Sequence, residues 1–130
     1  ENQGITISIL LKGRTTYIAG PGGVFAEDTG SSWAATPGSG DVLTGLIGAI
    51  VAHGVVVGRS AEESAAMAVR VHSRAARLAA MVGQTWHTLD YLVDEGAQLP
   101  HGAPVTASEI SLSISAAIRD VQGGGEDTLQ

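Results

Sequence analysis

Ala34-Ala35-Thr36-Pro37-Gly38-Ser39-Gly40-Asp41-Val42-Leu43-Thr44-Gly45 closes a loop and opens an apolar helix, with one carboxylate at the junction. Gly38 and Gly40 carry no Cβ, so both can adopt positive φ and let backbone N–H groups converge on one point. The N-terminus of the following helix adds about half a positive charge there. A phosphate group suits such a cradle. Asp41 then has two readings: a cap for free N–H groups of the helix, or a base that takes a proton from a hydroxyl attacking the phosphate held by the loop.

Downstream of the loop, Val42, Leu43, Leu46, Ile47, Ile50 and Val51 recur at helical spacing, with Gly54 as the stop and Gly45, Gly48 and Ala49 permitting close packing. Ser60-Ala61-Glu62-Glu63 reads as a capping box opening a second helix that runs to about Met81 and carries Arg70, Arg74 and Arg77 on one stripe. Periodicity weakens from Val82 to Ala103, where Leu89, Leu92 and Val93 fit a short helix inside a loop. Thr106-Ala107-Ser108-Glu109 is another capping box, and Ile110, Ile114, Ala117, Ile118 and Val121 mark the helix behind it, which ends at Gly123-Gly124-Gly125.

Upstream, Ile5, Ile7, Ile9, Leu10 and Leu11 form a β-branched and apolar run ending at Lys12-Gly13. A second run covers Thr15 to Ala19, and Gly20-Pro21-Gly22-Gly23 turns the chain into Val24-Phe25-Ala26. Three strands are expected, at least two of them joined as a hairpin. Residues 1–122 read as one domain and 123–130 as a disordered acidic tail.

Composition narrows the function classes. At 130 residues, 44% hydrophobic and 15% charged, the chain has enough apolar material for one core and is too short for two domains. With seven Lys and Arg and a net charge of −6, a broad polyphosphate-binding surface is disfavoured, and with it nucleic acid. An anionic ligand must be held by loops and a few cations. The absence of cysteine removes disulfides and thiolate metal sites and suits a reducing cytoplasm. No membrane association is expected, because the longest apolar run, Val42 to Val57, is interrupted by Gly45, Gly48, His53 and Gly54. His53, His87 and His101 lack ligand spacing, so no protein-bound metal is expected; His72, in an Ala- and Val-rich helix, reads as packing. The arginine stripe reads as a solvated helix face, and Arg14 as a solvent-facing turn residue.

Leu10-Leu11-Lys12-Gly13-Arg14-Thr15-Thr16, then Asp28-Thr29-Gly30, then Ala34 through Ala49 resemble, in order and spacing, the C-terminal half of the NAD(P)H-hydrate dehydratases of the ribokinase-like superfamily. The likeness continues through Ala68-Val69-Arg70-Val71-His72-Ser73-Arg74-Ala75-Ala76 and the Thr106 helix start, covering residues 5–121. The Gly-Ser-Gly-Asp loop is widespread among ribokinase-like enzymes; the Lys-Gly-x-x-Thr segment favours the dehydratases. The resemblance implies an α/β chain forming the C-terminal half of a three-layer α/β/α fold, with N-terminal strands followed by three main helices. It also implies repair of hydrated NADH or NADPH, with ADP or ATP as phosphoryl donor and Mg²⁺ on the donor phosphates, in a cytoplasmic homo-oligomer. On that basis Asp41 contacts the hydrated nicotinamide and acts as base. Gly38, Ser39 and Gly40 form the anion hole, and Lys12, Gly13, Arg14, Thr15 and Thr16, with Gly40, bind the nucleotide.

The chain departs from the family pattern in three respects. Glu27-Asp28-Thr29-Gly30-Ser31-Ser32-Trp33 stands where relatives often carry Asn-Pro-Thr-Gly-Asn and a methionine. Pro37 replaces a frequent glycine and holds φ near about −65°. The family's catalytic domain is roughly twice this length, so the expected chain is a piece of a longer or split protein, poorly active alone, whose partner is the absent N-terminal half or another subunit. Two other readings stand beside it: a ribokinase-like kinase of a small alcohol or vitamin precursor, and a noncatalytic nucleotide-binding or subunit-association module that pairs through an exposed sheet edge.

Overall fold

The computed structural model describes residues 4–28, 30, 32–81 and 104–123. Its strands are β1 (Ile9–Leu11), β2 (Thr16–Gly20) and β3 (Gly23–Glu27); a 3₁₀ turn at Ser32–Ala34 leads to the helices α1 (Ser39–Val56), α2 (Ala61–Met81) and α3 (Ala107–Gly123). The segment around Leu89, Leu92 and Val93, the tail beyond Gly123, and Thr29 lie outside the described residues.

All three strands pair antiparallel in the order β1-β2-β3. The hairpin expected from Gly20-Pro21-Gly22-Gly23 is present, with Gly20 opposite Gly23 and Gly23 at φ 127°. The first strand is shorter than its apolar run, because Ile5 and Ile7 precede the paired residues and are exposed. Residues two apart in a strand share a face, and the register aligns Leu10, Ile18 and Phe25 on one side of the sheet. That side joins the core: Ile18 is 1% exposed. Burial of one side chain of that size contributes about 1.5–3 kcal/mol. On the opposite side, Ile9, Leu11, Tyr17 and Val24 are exposed. A three-layer arrangement would require helices on that second side, and none covers it among the described residues.

Helix α2 packs on β2 and β3 and is itself flanked by α1 and α3. Ala65, Ala66, Ala68, Ala75, Ala76, Ala79 and Ala80 are all buried along it, and side chains this small let both neighbouring helices approach closely. Both capping boxes form as the sequence predicts. The Ser60 N–H donates to Glu63 Oε2 at 3.1 Å while the Glu63 N–H donates to Ser60 Oγ at 3.1 Å. The Thr106 N–H donates to Glu109 Oε2 at 2.7 Å, and the Glu109 N–H returns to Thr106 Oγ1 at 3.3 Å. In α3, Ile110 and Ala117 are buried at the expected positions.

Gly54 does not stop α1. It lies within the last turns, buried against Ser64 of α2, where a Cβ would collide with the Ser64 hydroxyl. The stop is Gly58 at φ 75°: the Arg59 N–H donates to Gly54 O at 2.8 Å and the Gly58 N–H to Val55 O at 3.3 Å, a left-handed helix terminus. The arginine stripe is also not simply solvated. Arg70 Nη2 donates to Glu27 Oε1 at 2.8 Å, tying α2 to β3, and Arg74 pairs with Asp120 of α3.

Over its 18 residues helix α1 has a mean hydropathy of 1.5, enough by length and composition alone to cross a membrane. Its Leu43, Leu46 and Gly54 stripe packs inward, while Val55 and Val56 are exposed.

Candidate functional site

The loop that opens α1 is held by its own backbone. Ser39 N–H donates to Thr36 O at 3.2 Å, and Gly38 O accepts from both the Asp41 and the Val42 N–H at 3.1 Å. Gly38 takes φ 83°, as its lack of Cβ allows. The Gly38 and Gly40 N–H groups have no acceptor among the described residues, and both residues are exposed. Of the three residues read as an anion hole, the two glycines therefore present free amides. The Ser39 amide is directed into the turn, and Ser39 itself is 1% exposed.

Asp41 lies in the first turn of α1, exposed, and its carboxylate hydrogen-bonds no described residue. No side chain caps this helix end. The capping alternative for Asp41 is thus not realised: Gly38 at the N-cap supplies only backbone, and the aspartate sits three residues past it.

Ser39 faces α2. His72 Nε2 lies 3.0 Å from Ser39 O and 3.2 Å from Ser39 Oγ. A carbonyl oxygen can only accept, so Nε2 carries the proton in this contact. His72 is 3% exposed, and burial holds its pKa below the ordinary histidine value; the bond to Ser39 O opposes this, and the nearby Lys12 charge reinforces it. Packing was the expected role of His72, and it is indeed packed. The polar contact was missed because the partners are 33 residues apart. The available signal was general: a buried imidazole among alanines and valines needs a hydrogen-bond partner.

A cleft of about 760 Å³ opens beside the loop, lined in part by Lys12, Gly13, Arg14 and Thr16 from the β1–β2 connection and by His72 and Ser73 from α2. The predicted nucleotide segment is therefore gathered on one wall, with Arg14 contributing to it. Thr15 is the exception: its hydroxyl donates to Asp28 Oδ1 at 3.4 Å, outside the lining. Gly38, Ser39, Gly40 and Asp41 also lie outside it. His72 both touches Ser39 of the loop and lines the cleft; Ala34, Ala35 and Leu43, from the loop stretch itself, line it too. Trp33, where relatives often have methionine before the loop, packs half-buried against the core. Among the described residues no group of three or more His, Asp or Glu side chains is placed to hold a metal ion.

Residues 2–96 match the sequence profile of the NAD(P)H-hydrate dehydratases. The chain belongs to that family. It is 55% identical over 74 residues to the bifunctional NAD(P)H-hydrate repair enzyme Nnr of Mycobacterium leprae, a stretch covering 56% of this chain and 15% of that protein. It is 39% identical over 90 residues to the enzyme of the same name from Moorella thermoacetica, covering 65% of this chain and 17% of that protein. The ADP-dependent (S)-NAD(P)H-hydrate dehydratase of Neisseria meningitidis serogroup B is 43% identical over 51 residues, 38% of this chain and 17% of that protein. The chain thus aligns with less than a fifth of each of these relatives' lengths. No solved structure matches it significantly.

Proposed function

We propose that this chain supplies the phosphoryl-transfer corner of an ADP- or ATP-dependent dehydratase acting on hydrated NADH or NADPH. The observation that carries the reading is the pair of Gly38 and Gly40 amides without acceptors among the described residues, beside an exposed, non-capping Asp41. In this role Asp41 takes the proton from the 6-hydroxyl of the hydrate as its oxygen attacks the terminal phosphorus of the donor, and the bridging bond to the departing nucleotide breaks. The glycine amides hold the negative charge that develops on the transferred group. The ring nitrogen's electron pair then expels phosphate, a far better leaving group than hydroxide, and loss of a ring proton restores the dihydronicotinamide.

Lys12 and Arg14 place two cations on the cleft wall, where they suit the donor's phosphates. Gly13, Thr15 and Thr16 complete the segment assigned to the nucleotide, and Gly40 serves it from the loop. Mg²⁺ would be carried on the donor's phosphates and offset their charge, with Asp41, in the first turn of α1, placed to share it. The uncovered side of the sheet at Ile9, Leu11, Tyr17 and Val24 fits the proposal that further family sequence, or another subunit, completes a three-layer fold in a cytoplasmic assembly. Family membership does not favour the small-alcohol kinase or the noncatalytic module.

The test is ADP and ATP titration by calorimetry, followed by an assay for hydrated NADH loss with phosphate release, on this chain alone and with the remaining family-length sequence supplied. Nucleotide binding by the chain, with turnover rising when the remainder is added, is expected. Absence of nucleotide binding in both preparations overturns the reading.

A further inference from the structure

We propose that His72 is a positioning residue for the phosphate-holding loop, acting through Ser39; this rests on the functional reading of that loop given above. Gly38 and Gly40 flank Ser39; Gly38 lies against Ala107 of α3 and the turn closes its own backbone bonds, but nothing lies within 4 Å of where a Gly40 Cβ would stand, so no neighbouring side chain holds that position. What the loop has instead is one buried residue between two exposed ones. Ser39 is 1% exposed, and its carbonyl and hydroxyl both meet His72 Nε2, at 3.0 and 3.2 Å.

The platform behind this contact is rigid. Val71, Ser73, Ala75 and Ala76 surround His72 in sequence and are all buried in α2. An imidazole N–H thus adds a polar tie between the first turn of α1 and α2, the helix with the most buried residues among those described. With Nε2–H donating to the carbonyl, the Ser39 hydroxyl can share that hydrogen as acceptor and keep its own proton to donate. His72 also lines the cleft that holds Lys12 and Arg14. It therefore fixes the spacing between the cations of the cleft and the free amides of the loop, the two groups that one phosphate chain would have to reach.

The experiment compares wild type, His72→Leu and His72→Gln in this chain, because the glutamine amide offers an N–H at a similar reach and leucine offers none. The first readout is hydrogen exchange at the Asp41 and Val42 amides, which bond to Gly38 O. Exchange about tenfold faster in His72→Leu, restored in His72→Gln, with protection in the body of α2 unchanged, is the expected result. Unchanged protection at Asp41 and Val42 in a folded His72→Leu overturns the proposal. If leucine prevents folding, imidazole ¹⁵N spectra of the wild type decide: a persistent Nε2–H tautomer supports the assignment, and an Nδ1–H tautomer overturns it.

Titration with Mg²⁺ and ADP runs alongside, with about tenfold weaker binding expected for leucine and binding within about threefold of wild type for glutamine. A wild type that binds no ADP defeats the functional reading, and the exchange data then judge His72 separately. Equal ADP affinity in wild type and leucine variant overturns the positioning role.

Discussion

The Ser8 hydroxyl donates to Glu62 Oε1 at 2.6 Å, joining the segment ahead of β1 to the first turn of α2. The same carboxylate fills the space above Gly20 and Gly22, where a Cβ at either position would collide with it. The Ser8 bond is the largest cause holding the Glu62 pKa below the usual carboxylate range, with backbone N–H groups, Gly22's among them, adding to it. At Gly20 and Gly22 the β2–β3 turn needs glycine for room, while the positive φ of the turn falls at Gly23. Gly20→Ala is expected to destabilise the fold by about 1–3 kcal/mol through overpacking, measured by urea denaturation. Glu62→Ala in the same background should relieve part of that cost. Additive losses in the double variant would show that the collision is not the cause.

Gly54 and Ser64 make the equivalent demand at the crossing of α1 and α2. Ser64 is fully buried and its hydroxyl has no partner among the described residues. Gly54→Ala should cost about 1–3 kcal/mol, although alanine is the better helix former by about 1 kcal/mol. Combining it with Ser64→Gly should recover stability, with a coupling of about 0.5–3 kcal/mol in a double-mutant cycle. A neutral or stabilising Gly54→Ala would mean that the helices can separate at no cost.

Asp41→Ala, which removes both the capping and the basic function, separates the two roles a helix-start aspartate can play. Loss of a capping side chain costs about 0.5–2 kcal/mol, whereas an exposed carboxylate without partners should change stability by less than about 0.5 kcal/mol. The smaller value is expected in thermal denaturation. In the completed enzyme the same variant should lower turnover by about 10²–10⁴-fold with nucleotide affinity nearly intact. Retained turnover would remove Asp41 as base.

His72 gives the fold a pH dependence of defined sign. Its folded pKa is depressed by burial and by Lys12, so between that value and the unfolded value of about 6.5 the unfolded chain binds the extra proton. Stability should therefore be full above the unfolded value and fall as pH drops below it, by up to about 1.4 kcal/mol per pH unit from this group. Urea midpoints across this range, compared between wild type and His72→Gln, isolate the effect from other titrating groups. The wild-type slope should be steeper; equal slopes would place His72 in contact with solvent.

The features legible in the sequence were those whose partners lie a few residues apart. Ser60 with Glu63 and Thr106 with Glu109 form their boxes across three residues, and Gly20-Pro21-Gly22-Gly23 bends the chain within four. Strand alternation through Leu10, Ile18 and Phe25 follows from the same short-range logic. The shape of the loop was legible at Gly38, whose positive φ follows from its missing Cβ, whereas Gly40 lies inside α1 without a positive φ. Within the nucleotide segment, Lys12, Gly13, Arg14 and Thr16 reach one cleft, but nothing in the string of letters separates Thr15 from them.

Contacts between distant elements followed a different rule. Gly54 has the composition of a helix stop, and only the crossing with Ser64 makes it an interior contact while Gly58 ends the helix. Arg70 and Arg74 have the spacing of a solvated stripe until Glu27 and Asp120 are folded against them. His72 is an ordinary core position in a list of residues and a tether in three dimensions, since Ser39 reaches it only when α1 lies across α2. Capping, turning and strand alternation are determined by short-range backbone hydrogen bonding and sterics, which adjacent residues carry with them. Ion pairs, close helix crossings and the burial of a histidine depend on which surfaces the whole chain brings together, and no local segment contains that information.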